Sequence, residues 1–285
     1  MGNRMLGWKR RRRRRLRARP LPDAWGDILS RRVACWDTLD EADRRELAGH
    51  MQVFLHEKRF EGCGGLRITD EIRVTIAAQA CLLLLHRATD YFPGVVAIVV
   101  YPSVYWAPRA QPASVGVVDQ RQEVREGESW ARGAVVLAWD RVRRDAEDAH
   151  GGHNVALHEF AHQLDLESGA ADGAPVLAGR GHRQAWARAF SRAYADDREA
   201  LAAGRHTFLG AYAATSPAEF FAVATEAFFE QPRVLCAHHP ALYGQLAAYF
   251  LQEPSHRESL EVREPTGERD FWTISVEPYG AYPIV

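Results

Sequence analysis

The sequence predicts an α+β fold that is mostly helical, with a small sheet beside one central helix. Three observations carry this. Most of the chain repeats its apolar residues at helical spacing. Only two stretches, VVAIVVY at 95–101 and GAVVLAWD at 133–140, have the short β-branched character of buried strands. The second of them immediately precedes the helix of HNVALHEFAHQLD, 153–165, in which Val155, Leu157, Phe160, Ala161 and Leu164 recur as on a buried helix.

Taken in order, residues 9–15 read KRRRRRR, and Arg17 and Arg19 follow. A charge run of this density is expected to be a solvated, disordered tail over residues 1–19. Contact with nucleic acid or an anionic surface is the other reading of such an arm. Residues 20–260 are expected to form the folded domain and 261–285 an extended C-terminal tail. The first helical pattern runs from Asp40, a plausible N-cap, to Phe54, with Leu47, Met51 and Phe54 on one face. The GCGG turn at 62–65 ends it. Thr69 or Asp70 then caps a helix that soon becomes apolar on all sides and is therefore buried. Between the two strand candidates, residues 103–132 look polar and irregular. A Gly- and Ala-rich loop over 169–181 leads to a helix from His182 to about Leu201, with Trp186, Ala189, Phe190 and Ala193 inward. Ser216-Pro217 is a strong start for a helix that ends before Pro232, and residues 240–252 supply one more.

With 285 residues, 47% hydrophobic and 26% charged, the composition is that of a globular protein and excludes the disordered class. No apolar stretch follows the arginines, as a secretory signal requires, and the longest apolar run, from Cys81, is too short to span a bilayer. Cys35, Cys63, Cys81 and Cys236 show neither C-x-x-C pairing nor a disulfide framework. A cytoplasmic location is the expectation.

The chemistry concentrates in H-E-x-x-H. Four residues apart on one helix, His158 and His162 aim their imidazoles at a common point. Two histidines and a carboxylate are expensive on a buried helix unless a metal and its water pair them. One zinc ion per chain is predicted, since a catalytic zinc takes three protein ligands and leaves a position for water. Glu159 then lies beside that water as general base, and later as acid toward the leaving amine. The third ligand is open. HExxHxxGxxH is excluded, because QLDLESGAAD follows His162. Glu219 and Glu226, two turns apart on one helix face, both remain, and Glu219 also completes a capping box with Ser216. Asp165, three residues after His162, could orient that imidazole or simply end the helix.

The segments TDEIRVTIAAQACLLLL, GESWARGAVVLAWD, HEFAHQLD and YAATSPAEFFAVATEAFFEQP resemble the Mlc titration factor A family of zinc metallopeptidases, over residues 20–255. The resemblance implies a zincin-like core of the gluzincin kind, similar to the lethal-factor type, and a zinc-dependent peptidase, aminopeptidase-like on small peptides. It makes Glu219, which begins E-F-F-A, the third zinc ligand and Tyr212, seven residues earlier, an aid to the transition state. Glu226 then orients a ligating histidine. The family can carry a metal-binding His a few residues before GxxW, where this chain has Asp119. The resemblance also implies a second role, binding and sequestering a sugar-responsive transcriptional repressor, beside a peptide substrate.

Overall fold

The computed structural model describes residues 2–103, 105–108, 122–125, 127–130 and 133–257. Helices α1 (Gly2–Arg17), α2 (Asp23–Arg32), α3 (Cys35–Thr38) and α4 (Glu41–Glu57) lead into strand β1 (Arg59–Gly62). Helix α5 (Asp70–Leu82) crosses over to β2 (Ala97–Tyr101). The short strands β3 (Tyr105–Pro108) and β4 (Gln122–Arg125) pair with each other, and β5 (Gly127–Trp130) turns back antiparallel onto β6 (Ala134–Ala138). The rest is helical: α6 (Trp139–Glu147), α7 (Val155–Leu166), α8 (Gly179–Ala202), α9 (Gly210–Ala213), α10 (Pro217–Glu230), α11 (Pro232–His238) and α12 (Pro240–Phe250). The α+β, mostly helical expectation therefore holds.

The main sheet has the order β1-β2-β6-β5, with β1, β2 and β6 parallel. Ile98 lies beside Val135 and Val100 beside Leu137, and all four are buried, as the two-residue period of a strand requires. Parallel neighbours need a covering crossover, which α5 provides with its Ile72, Val74, Ile76 and Cys81 buried. Beneath the sheet, Phe54, Phe92 and Phe160 meet edge to face or tilted, with Phe92 and Phe160 centroids 4.8 Å apart. A second aromatic group joins α8, α10 and α12: Trp186 stacks on Phe190 at 4.0 Å and touches Phe221 and Tyr249.

Helix starts follow the predicted chemistry. Asp40, Thr69 and Ser216 each accept the amide of the residue three positions on. Several elements carried no readable signal. β1 is a four-residue edge strand whose side chains are mostly exposed, so no apolar run marked it. The short helices α2 and α11 were not foreseen, and α6, with strongly charged WDRVRRDAE, stands between the second strand and the H-E-x-x-H helix rather than leaving them adjacent. The 103–132 stretch, expected to be irregular, contains β3, β4 and β5.

The arginine-rich segment is the main correction. It is helical rather than a solvated tail, and it packs along α4. Leu16 is buried in the core, Arg13 pairs with Glu57 at 2.7 Å and with Asp90, and its guanidinium lies 4.6 Å from the Tyr91 ring centroid. Gly49 permits the contact, because a side chain there would meet the Arg17 carbonyl at 3.1 Å. Composition alone missed this, since one leucine and one well-paired arginine are enough to seat a helix on an existing core. The C-terminal tail expected at 261–285 lies outside the described residues. Among those described, no helix is long and apolar enough to cross a membrane.

Candidate metal centre

The centre forms where α7 crosses α10. Asn154 caps α7 by accepting the Leu157 amide at 3.0 Å, and buried carboxylates take two more amides of that helix end: Glu226 accepts from Asn154 N at 2.6 Å and Asp145 from Val155 N at 3.1 Å. Negative groups at a helix N-terminus also complement its dipole. At the other end, buried Asp165 accepts the Gly173 amide at 2.8 Å, and the Gly173 carbonyl accepts the Trp186 indole N–H at 2.9 Å. Gly173 has φ +77°, and a Cβ there would lie 2.5 Å from the Pro217 carbonyl at the start of α10. Asp165 thus locks the loop that holds α7, α8 and α10 together, its carboxylate accepting from that loop rather than from His162.

Within this frame the H-E-x-x-H side chains face α10. The His158 and His162 Nε2 atoms are 3.1 Å apart, and the Glu219 Oε2 atom is 3.1 Å from the first and 3.3 Å from the second. His158, His162 and Glu219 form the group of potential metal ligands found among the described residues. Their fit to a cation can be tested on the distances. Two imidazole nitrogens facing each other at 3.1 Å cannot both carry a proton there; either one proton shared as N–H···N or a cation between the two lone pairs satisfies them. Ligand atoms about 2.0 to 2.1 Å from a tetrahedral zinc lie about 3.3 Å from one another, which matches all three separations. The three residues fit a zinc ion.

Glu226 completes the set from behind. Its Oε1 lies 2.7 Å from His158 Nδ1, so that in the neutral ring the proton sits on Nδ1 and Nε2 is the lone-pair atom facing the cluster. Burial opposes a charge on His158, but Glu226 and then Glu219 outweigh it and hold its pKa well above the ordinary imidazole value. Burial also opposes the Glu219 charge, and its hydrogen bonds to His158 and His162 overcome that and hold its pKa far below the usual carboxylate range. The pocket is thus electrostatically arranged for positive charge among these groups. Tyr212, on α9, sits with its ring centroid 6.0 Å from that of His158; burial and then the neighbouring Glu219, to which it also hydrogen-bonds, push its hydroxyl far above the normal phenol value. Glu159 is buried next to His158 on α7, whereas His162, Glu219 and Tyr212 are only half-buried, so the cluster opens to solvent on their side.

A model of the glucose-regulated metallo-peptidase M90 family matches residues 7–251. The chain belongs to this family of metallopeptidases. It is 40% identical over 248 residues to the uncharacterized protein slr2042 of Synechocystis sp., covering 87% of this chain and 90% of the relative. It is 30% identical over 234 residues to Mlc titration factor A of Klebsiella pneumoniae, covering 81% and 87%, and 29% identical over 243 residues to the protein of the same name from Salmonella typhimurium, covering 84% and 90%.

Of the metal-ligand candidates named from the sequence of this M90 member, His158, His162 and Glu219 meet at one point, Glu226 stands behind His158, and Asp119 lies outside the described residues. The rivalry between the two glutamates resolves into two positions: Glu219 faces both Nε2 atoms, and Glu226 faces Nδ1 of His158. The capping box is half formed. Ser216 Oγ accepts the Glu219 amide at 3.2 Å, but the Glu219 carboxylate turns to the histidines instead of returning to the Ser216 amide. Sequence reasoning missed Asn154, Asp145 and Glu230. Asn154 had a signal, an N-cap residue directly before the apolar run. Asp145 and Glu230 had none: Asp145 reaches the start of α7 from the helix before it, beyond the range of a local capping pattern, and Glu230 reaches Asn154 from 76 residues along the chain.

Proposed function

We propose that this M90 member is a zinc-dependent peptidase, with zinc held by His158, His162 and Glu219. The observation that carries the reading is the triangle of two imidazole nitrogens and one carboxylate oxygen, 3.1 to 3.3 Å on each edge, with Glu159 one residue along the same helix. A zinc ion there supplies Lewis acidity, polarising a carbonyl and lowering the pKa of water. Glu226 keeps the proton of His158 on Nδ1, so that Nε2 stays a ligand. Glu159 acts as general base, taking the proton of the attacking water, and then as acid, passing it to the leaving amine. Tyr212, whose high pKa keeps it a hydrogen-bond donor, steadies the oxyanion that develops on the scissile carbonyl.

Aminopeptidase-like action on small peptides is the finer reading, and cytoplasmic work suits four cysteines that are all unbridged. The test is hydrolysis of a mixed peptide library by the purified protein. Cleavage that stops with a chelator and returns with zinc alone supports the proposal. Undiminished cleavage after the metal has been measured as removed overturns it.

A second role rests on a separate observation, the name Mlc titration factor A borne by relatives about 30% identical over most of their length. The name speaks of a factor that titrates Mlc, which fits a protein that binds and sequesters a transcriptional repressor. Co-purification of such a repressor with a Glu159→Gln variant would separate binding from cleavage.

A further inference from the structure

The peptidase reading leaves the arginine-rich helix without a task, and its geometry is specific. Residues 1–19 hold ten Lys and Arg and no acidic residue, against 36 and 37 in the whole chain; the body after them therefore carries 26 basic and 37 acidic residues, a formal charge of −11. The helix divides its cations between two faces. Toward the body, Arg13 binds Glu57 and Asp90, Lys9 binds Asp90 at 3.0 Å, and Arg17 binds Glu46 at 3.2 Å, while Leu16 enters the core. Away from it, Arg10, Arg11, Arg14 and Arg15 are exposed and make no ion pair among the described residues, with the small Gly7 and Ala18 on the same side. Had the run been a solvated coil, its charges would average over all directions. Fixed on α4, four of them form a row.

We propose that this outer face of α1 binds the phosphate backbone of duplex nucleic acid without reading its sequence. At about 1.5 Å of rise per residue, Arg10 to Arg15 span roughly 7.5 Å of helix axis. Over that length duplex DNA, with about one charge per 1.7 Å counting both strands, presents roughly four phosphates, about two to a strand. Arginine is the side chain whose planar fork pairs with phosphate oxygens two at a time. A membrane surface fits less well. An interfacial helix buries an apolar face in lipid, and here, among the side chains of the helix that are described, Leu16 faces the protein core and Trp8, at the flank of the row, is the large apolar one left outside. The acidic body repels a polyanion, so contact is confined to α1 and the molecule is oriented on the duplex by one edge.

The experiment is fluorescence anisotropy of the full-length protein with a labelled mixed-sequence DNA duplex, repeated over a series of salt concentrations. Binding is expected to be independent of sequence, with log K falling against log salt at a slope of about −3 to −4, as roughly four phosphate contacts predict. The combined variant Arg10→Glu, Arg11→Glu, Arg14→Glu and Arg15→Glu should lose binding while keeping its melting temperature and peptide cleavage. The milder pair Arg10→Gln and Arg14→Gln, which guards against misfolding, should roughly halve the slope. Duplex binding that survives either set unchanged overturns the proposal. So does a protein that ignores duplex at low salt and instead sediments with phosphatidylglycerol vesicles.

Discussion

His158 Nδ1 and Glu226 Oε1 lie 2.7 Å apart in the buried seam between α7 and α10, and the other oxygen of the same carboxylate accepts the Asn154 amide at 2.6 Å. One side chain of α10 thus fixes both the first turn of α7 and the ring that α7 turns toward His162 and Glu219. A glutamate can accept two such N–H groups at once, and a glutamine cannot, because its amide nitrogen is itself a donor.

Glu226→Gln is therefore expected to keep some metal but lose about 10- to 100-fold in affinity or activity, as happens when the partner of a ligating imidazole is changed. Glu219→Gln should lose metal almost completely, since only two strong ligands remain and a negative charge beside the cation is gone. Bound zinc after dialysis against a weak chelator distinguishes them. Full occupancy in Glu219→Gln together with an empty Glu226→Gln would reverse the two roles.

Glu159→Gln should retain the metal and lose peptide cleavage by several orders of magnitude, because the role proposed for the carboxylate is proton transfer and not coordination. Metal analysis and turnover on the same preparation provide the check. Loss of zinc in this variant would make Glu159 a ligand instead.

Tyr212→Phe removes one hydroxyl from the solvent-facing rim of the centre. If that hydroxyl serves the developing oxyanion, kcat should fall by roughly 10²-fold, as when a single oxyanion donor is removed, with KM and metal content little changed. An unaltered kcat would leave Tyr212 as packing beside His158.

The site was legible in the sequence wherever its chemistry is local. His158, Glu159 and His162 share one helix, so their spacing alone shows a common face. Glu219 against Glu226 was not legible from spacing, because two turns of helix separate residues that both point inward, and only the crossing of α7 over α10 decides which oxygen meets Nε2 and which meets Nδ1. The fold follows the same division. Asp40, Thr69 and Ser216 announced their helices through bonds made three residues away, whereas α1 looks disordered in isolation and becomes a seated helix through Glu57, Asp90 and Gly49, which lie 30 or more residues along the chain.

Since α1 is seated in this way, removing residues 1–19 should lower the melting temperature by several degrees. Leu16→Ala alone should destabilise by about 2 to 4 kcal/mol, the usual range for a buried leucine. Arg13→Ala should also destabilise, by removing the ion-pair partner of Glu57 and leaving Asp90 to Lys9 alone. Chemical denaturation of the three variants tests this. A truncated protein as stable as the full chain would return the segment to the status of a solvated tail.

Asp197, on α8, supplies a pH-dependent test away from the metal. It is buried, its Oδ2 makes no hydrogen bond, and the His239 ring nitrogen lies 3.5 Å from Oδ1. Burial, aided by the neighbouring Asp196, raises its pKa from 3.8 to about 6, while burial lowers that of His239, so the imidazole does little to offset the charge. A carboxyl with a raised folded pKa holds its proton longer in the native state than in the unfolded chain. Its contribution to stability is complete below pH 3.8 and is lost as pH rises through about 6. Asn has the same shape and no charge to lose. Asp197→Asn should therefore raise the melting temperature by a few degrees at pH 7.5 and change it much less at pH 4.5. Thermal melts of the two proteins at both pH values measure the difference, and an equal shift at each would show that packing, not the buried charge, governs this position.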